Sequence, residues 1–383
     1  MNTALAETPP NAQRVSEAIV DMRDLAIRAL RRMYLQDQGL YAFCLRRTDQ
    51  GDRLEGISRR YTAIVLLALA DEAPDVVAQA LPTADPHDLC GRLIDHTDRA
   101  DDIGEVALTL WAARAFNHPG VDRVHQRLAA MDPVNCSSPT VEVAWALTSL
   151  VVRDECVDRP LADAVANRLM SSFDRRADLF PHWPIGAAAS AMRAHVACFA
   201  DLVYPIQALS YYYRATQDQN ALALAQRCAR RMCELQGEQG QWWWHYDART
   251  GHVLERFPVY AVHQDAMAPM ALFALQDACG EDHTPAVIKG VEWLLEAPEI
   301  SGSLIDRAAD VIWRKVARHE PGKMARSVQA AASRVHPALR VPGVDLVFPP
   351  GSIDYESRPY HMGWLLHAFS GPRATGLGKR CRD

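Results

Sequence analysis

Tyr260, His263 and Asp265 stand close together in a stretch that is apolar apart from them and Gln264, Val259 to Met270. A phenol, an imidazole and a carboxylate at that spacing can give and take protons near neutral pH. Further polar groups hold comparable places at the edges of apolar runs. Asp101-Asp102 precede Ile103-Gly-Glu-Val, Glu142 follows Ser138-Pro-Thr-Val, and Arg60, Tyr204, Tyr360 and His361 open other runs. Each one alone fits a helix cap or a charge set against a helix dipole. If the elements bring them to one place, they make a concave polar site. Asp265, His263, Tyr260, Glu142 and Asp102 are then the candidate acids and bases. Arg60, Tyr204, Tyr360 and His361 are candidate substrate contacts. Trp242-Trp243-Trp244-His245 adds an aromatic cluster. Neighbours in an extended segment point to opposite sides, so the three indoles cannot share one core. Trp242, Trp244 and His245 therefore join the substrate-binding candidates, with a loop plug as the alternative reading.

The elements that must position these groups are helices. Residues 14–34 place Val15, Ile19, Met22, Ala26, Leu30 and Met33 at spacings of three and four, the mark of an amphipathic helix. Similar stretches recur at 58–70, 85–97, 101–116, 120–130, 139–153, 158–172, 200–216, 219–236, 264–279, 284–296, 304–319 and 356–369. Charged-faced members (14–34, 85–97, 120–130, 158–172, 219–236, 284–296) alternate with members apolar nearly all round, which belong between neighbours. Hairpins of one outer and one inner helix, about six of them, predict an all-α fold, an α/α toroid occupying residues 14–370. A disordered lead-in, 1–13, and a flexible basic tail, 371–383, flank it. An open solenoid and an irregular bundle are the alternatives. In a ring of parallel inner helices, the polar helix starts gather at one mouth.

Leu235-Gln236-Gly-Glu-Gln-Gly240-Gln-Trp242 and Tyr34-Leu-Gln36-Asp-Gln-Gly39-Leu-Tyr41 resemble the Gln–Trp repeat of terpenoid cyclases. That resemblance implies a toroid in which a glutamine ties a helix end to the next turn. Ala197 to Ala278 is similar to the C-terminal helical domain of glucuronyl epimerases. The shared order is an inner helix, an outer helix, Gly240-Gln-Trp242, an acid–aromatic–Pro stretch, then a second inner helix. Glu255 and Pro258 match that stretch, with Arg256 and Phe257 where the family has an acid and a phenol. The epimerase resemblance implies a sugar substrate.

The expected function is thus a carbohydrate-active enzyme using acid/base chemistry, with hydrolysis, elimination and epimerisation all open and a uronic acid as one substrate option. An inverting hydrolysis needs two carboxyl groups roughly 6.5–9.5 Å apart, for which Asp265 with Asp102 or Glu142 are the candidates. A terpenoid cyclase with a degenerate Asp-rich motif, Asp101-Asp102, is the rival enzyme, and a non-catalytic scaffold in a biosynthetic assembly is the rival class.

Composition narrows the field. The chain has 383 residues, 49% hydrophobic and 23% charged, with a net charge of −6, which argues against nucleic acid as a partner. Residues 301–340 hold eight basic against three acidic residues, either a solvated face or an anion-binding patch. The N-terminus lacks a basic start followed by an apolar core, so no secretory signal is expected, and no transmembrane segment either. Nine scattered cysteines without a CxxC pair suggest a reduced, cytoplasmic protein. No metal or cofactor is expected.

Overall fold

The computed structural model describes residues 10–184, 195–319, 347–375 and 377. The inner helices are α2 (Arg59–Leu69), α5 (Ile103–Ala115), α7 (Thr140–Val151), α9 (Ala200–Thr216), α11 (Ala268–Cys279) and α13 (Pro359–Ala368). Each packs on the next, and α13 returns to α2, so the ring closes. The outer members are α1 (Pro10–Met33), α4 (Pro86–His96), α6 (Val121–Ala130), α8 (Arg159–Ser171), α10 (Gln219–Glu234) and α12 (Thr284–Glu296), with a short α3 (Pro74–Ala80) beside α1. Sequence dictates this sorting. Helix α5 is apolar round its circumference, and Ile103 through Arg114 are buried apart from Glu105. Helix α10 buries one stripe, Ala221, Leu224, Ala225, Cys228 and Met232, and turns its arginines outward, as a surface helix must.

Side-chain caps fix several helix starts at the mouth. Ser58 Oγ accepts the Tyr61 amide proton, and Asp102 Oδ1 accepts that of Glu105. Such caps each contribute about 1 kcal/mol.

The Gln236 amide joins the end of α10 to its neighbours. Its Nε2 donates to Gly240 O (3.0 Å) and to Ala286 O at the start of α12 (2.9 Å). This is the role the Gln–Trp resemblance implies. Gly240 has φ +103°, and a Cβ there would collide with the Lys289 carbonyl. Gly240→Ala is expected to cost more than about 2 kcal/mol, because both the left-handed backbone and the close approach are lost. A drop of several degrees in Tm would show it; an unchanged melt would contradict it.

Three expectations are corrected. Residues 304–319 form strands, not a helix: β8 (Ile305–Asp306) pairs with β9 (Val311–Ile312), followed by β10 (Lys315–Arg318). Ile305, Val311, Ile312 and Val316 are β-branched and buried, which suits pleated, half-buried strands, and Asp310 turns the chain at φ +49°. Helix α1 begins at Pro10, inside the expected lead-in, whose residues 1–9 lie outside the described ones. The start of the expected tail is ordered: Gly371–Thr375 makes a 3₁₀ turn and Arg373 pairs with Asp277 at 2.6 Å.

The mouth is also not made of bare helix ends. The hairpin β2 (Leu40–Thr48) and β3 (Gly51–Ile57) carries β1 (Tyr34–Leu35) and β12 (Glu356–Ser357) on β2. A second sheet joins β10 to β7 (Val259–Tyr260) and β11 (Pro350–Asp354), and a third joins β4 (Val196–Cys198), β5 (His245–Asp247) and β6 (Val253–Glu255).

Candidate active site at the ring mouth

A cavity of about 440 Å³ opens where the inner helices start, and the first turns of α2, α7, α9 and α13 and the turn that leads into α11 all reach it. Six candidates line it: Arg60, Tyr204, Trp244, Tyr260, His263 and Tyr360. The walls are largely aromatic. Tyr260 meets Trp244 edge-on at 5.0 Å, Trp145 meets Tyr204 at 5.0 Å, and Tyr61 lies 4.7 Å from Tyr360. Burial pushes the Tyr204 and Tyr360 phenols up, so both remain O–H donors.

Two arginines bring positive charge to this aromatic shell. Arg60 Nη2 bridges Asp102 and Glu142, with Glu142 Oε1 at 2.6 Å, and its guanidinium lies over Trp145 at 5.6 Å. Both acids thus gather at one cation on the rim. Asp102 is fully engaged, Oδ1 as the α5 cap and Oδ2 with Arg60. Glu142 Oε2 takes no hydrogen bond among the described residues. Arg314, in the expected basic segment, lies over Tyr260 at 5.3 Å and pairs through Nη1 with Glu356 at 3.0 Å. Its buried Nε has no partner among the described residues. In the sequence Arg314 is only one of the eight basic residues of 301–340, because its neighbours come from β7 and β12. The other described cations of that run are paired internally: Arg307 with Asp21, Lys315 with Asp354, and Arg318 with Glu255. Its residues 320–340 lie outside the described ones.

His263 opens a π-type turn, His263–Met267, at the head of α11 and is 5% exposed. Its ring lies 4.4 Å from Phe199 and 5.1 Å from Tyr260, and Nδ1 has no partner among the described residues. Burial lowers its pKa to about 3, so the folded protein holds a neutral imidazole. The unfolded chain takes up this proton below about pH 6.5 while the native state does not. Stability is therefore expected to fall as pH drops from about 6.5 toward 3, by up to about 1.4 kcal/mol per pH unit from this group. His263→Phe keeps the ring packing and should flatten that part of a denaturant-midpoint profile; an unchanged slope would contradict the assignment.

The remaining candidates lie behind the walls. Asp265 is fully buried, and His361 Nε2 sits 2.7 and 3.0 Å from its two carboxylate oxygens. Neither residue lines the cavity. Trp242 is also fully buried, against Phe199 and over Gly290, so of the three indoles Trp244 alone reaches the cavity. His245, 6% exposed, stacks on the back of Trp244 at 4.1 Å. Glu255, the matched acid of the epimerase-like stretch, is buried and accepts from Arg318 and the Phe257 amide. Asp101 is exposed and Asp102 is ion-paired, an arrangement unlike the closed apolar cavity that a terpenoid cyclase requires.

The fold also assembles a group that no sequence spacing announced. His182, Cys198 and Asp201 lie together beside the start of α9, with one ligand atom of each within 4.8 Å of the others.

No protein-family model matches the chain, and no curated protein does. Solved structures do match across nearly the whole length. An unsaturated glucuronyl hydrolase specific for heparin aligns with a TM-score of 0.60 at 12% identity, covering 93% of this chain and 96% of that one. A cellobiose 2-epimerase from Bacillus thermoamylovorans gives 0.60 at 11% identity over 92% and 98%. An unsaturated glucuronyl hydrolase from Streptococcus agalactiae gives 0.51 at 10% identity over 96% of both. With the closed inner ring and its outer partners, these matches show that the chain has the α/α toroid fold.

Proposed function

We propose that this toroid is a carbohydrate-active enzyme that takes an acidic saccharide, one bearing a uronic acid, into the mouth cavity and cleaves it by acid/base chemistry. One observation carries the reading: an aromatic-walled cavity is lined by Arg314, whose Nε has no partner among the described residues, and by Arg60, which holds a neighbouring acid, Glu142, whose Oε2 takes no hydrogen bond among the described residues. Indole and phenol faces suit the apolar faces of sugar rings, and a guanidinium suits a carboxylate. The fold's occurrence in glucuronyl hydrolases supports the same reading.

In this reading a sugar ring lies against Trp244 and Tyr260 while its carboxylate engages Arg314. Glu142 transfers the proton at the scissile oxygen. Asp102 and Arg60 hold Glu142 in place and set the charge around it. Residues 14–370 act as one catalytic unit. The eight described cysteines are all free, which suits a cytoplasmic setting. No helix among the described residues is long and apolar enough to cross a membrane.

A second reading draws on His263. Its Nδ1 has no partner among the described residues and its ring shares a wall with Arg314, so it is placed to remove a proton next to a bound carboxylate, whose charge would raise the ring's pKa from about 3 toward the range of a useful base. Incubation with oligosaccharides ending in uronic acids or in the matching neutral sugars separates the two. Hydrolysis yields new reducing ends without added ultraviolet absorbance, whereas elimination at a 4-linked uronate releases the sugar on O4 and leaves an unsaturated uronate that absorbs in the short-wavelength ultraviolet. Absence of turnover on every acidic substrate in the panel would overturn both.

A further inference from the structure

We propose that His182, Cys198 and Asp201 bind a divalent transition metal ion, zinc foremost, at the rim of the mouth. Three separate pieces of the fold carry the ligands. His182 follows α8 in a loop whose carbonyl accepts the Thr140 amide proton at 2.9 Å, tying it to the start of α7. Cys198 ends β4, which pairs with β5 at His245. Asp201 lies in the first turn of α9, next to cavity-lining Ala200.

The geometry is close to a coordination sphere. His182 Nδ1 stands 3.1 and 3.0 Å from the two Asp201 oxygens, and the Cys198 amide donates to Asp201 Oδ2 at 2.7 Å. A tetrahedral zinc with bonds of about 2.0–2.3 Å separates its ligand atoms by roughly 3.3–3.8 Å. The widest pair here lies within 4.8 Å, so a side-chain shift on the order of 1 Å closes the set.

Charge supports a cation at this point. Asp201 is fully buried, and a buried carboxylate calls for compensation. Among the described residues its one potential cationic partner is His182. A divalent ion with one thiolate, one carboxylate and one neutral imidazole makes an uncharged group. The mixed sulfur, nitrogen and oxygen donors suit zinc and its neighbours rather than magnesium or calcium. His182, with its side chain 36% exposed, gives the ion access to solvent for a fourth ligand.

Binding forms the sulfur–metal bond as the thiol proton leaves to solvent.

The test uses the full chain loaded with Co²⁺ as a spectroscopic stand-in for Zn²⁺. The expected result is one ion per chain, with a thiolate-to-cobalt charge-transfer band and tetrahedral d–d bands. Cys198→Ser should remove the charge-transfer band and weaken Zn²⁺ binding at least tenfold. His182→Gln, whose side-chain amide can still donate to Asp201, should weaken binding similarly. Zn²⁺ should raise the Tm of the wild type and not that of Cys198→Ser. Failure to retain stoichiometric metal, or cobalt spectra unchanged by Cys198→Ser, would overturn the proposal. None of these readouts depends on turnover, so the site stands or falls separately from the saccharide reading.

Discussion

Glu142→Gln is expected to lower kcat/KM on an acidic saccharide by about 10²–10⁴-fold, the range that general acid–base groups contribute, while the melt stays within a few degrees of wild type. The substitution keeps the side chain's shape, its packing beside Gly104 and Trp145, and an oxygen to accept from Arg60. It removes only the carboxyl group proposed to transfer the proton. Asp102→Asn should act differently. Asparagine caps a helix about as well as aspartate, so α5 remains anchored, but the ionic contact with Arg60 is weakened. A fall smaller than that of Glu142→Gln is expected, because Asp102 works through Arg60. Kinetics of the two variants on one substrate, with thermal melts alongside, check both statements. Wild-type turnover in Glu142→Gln would remove Glu142 from the chemistry.

Asp265→Ala is expected to destabilise the protein by about 3–5 kcal/mol, the cost of removing one partner of a buried pair. His361, 3% exposed, would be left without the carboxylate that both of its contacts reach, and the vacated volume would lie between α11 and α13 in the ring wall. Asp265→Asn retains an acceptor and should cost less. A denaturant titration is the check: a large fall in midpoint for Asp265→Ala marks a structural pair. Lost turnover at unchanged midpoint would return Asp265 to the active site, where its sequence position had suggested it belonged.

That contrast shows what a sequence can reveal. Tyr260, His263 and Asp265 stood out because polar groups are rare in a mostly apolar stretch. Two residues apart on a helix, however, side chains point in different directions. His263 and Met267, four apart, share the cavity wall, and Asp265 turns toward α13. The inner and outer rings were legible because each helix is long enough for its apolar pattern to identify it. The mouth was not, because its strands are mostly two to five residues long and form only where neighbours supply a partner edge. Residues 304–319 were misread for that reason, and with them the position of Arg314. The His182, Cys198 and Asp201 group has no regular spacing and is assembled by a loop, a strand and a helix start. Arg60, Glu142 and Asp102 meet because helix starts in a parallel inner ring converge.

Calorimetric titration of Glu142→Gln with a uronate-terminated disaccharide and with its neutral counterpart tests the central claim most directly, since the slowed variant holds substrate intact. The account predicts one site per chain, with the acidic sugar favoured at least tenfold, roughly the 1.4 kcal/mol expected of a charge-assisted contact, and that preference lost in Glu142→Gln combined with Arg314→Leu. Equal affinity for the two sugars, or binding of neither, would contradict it.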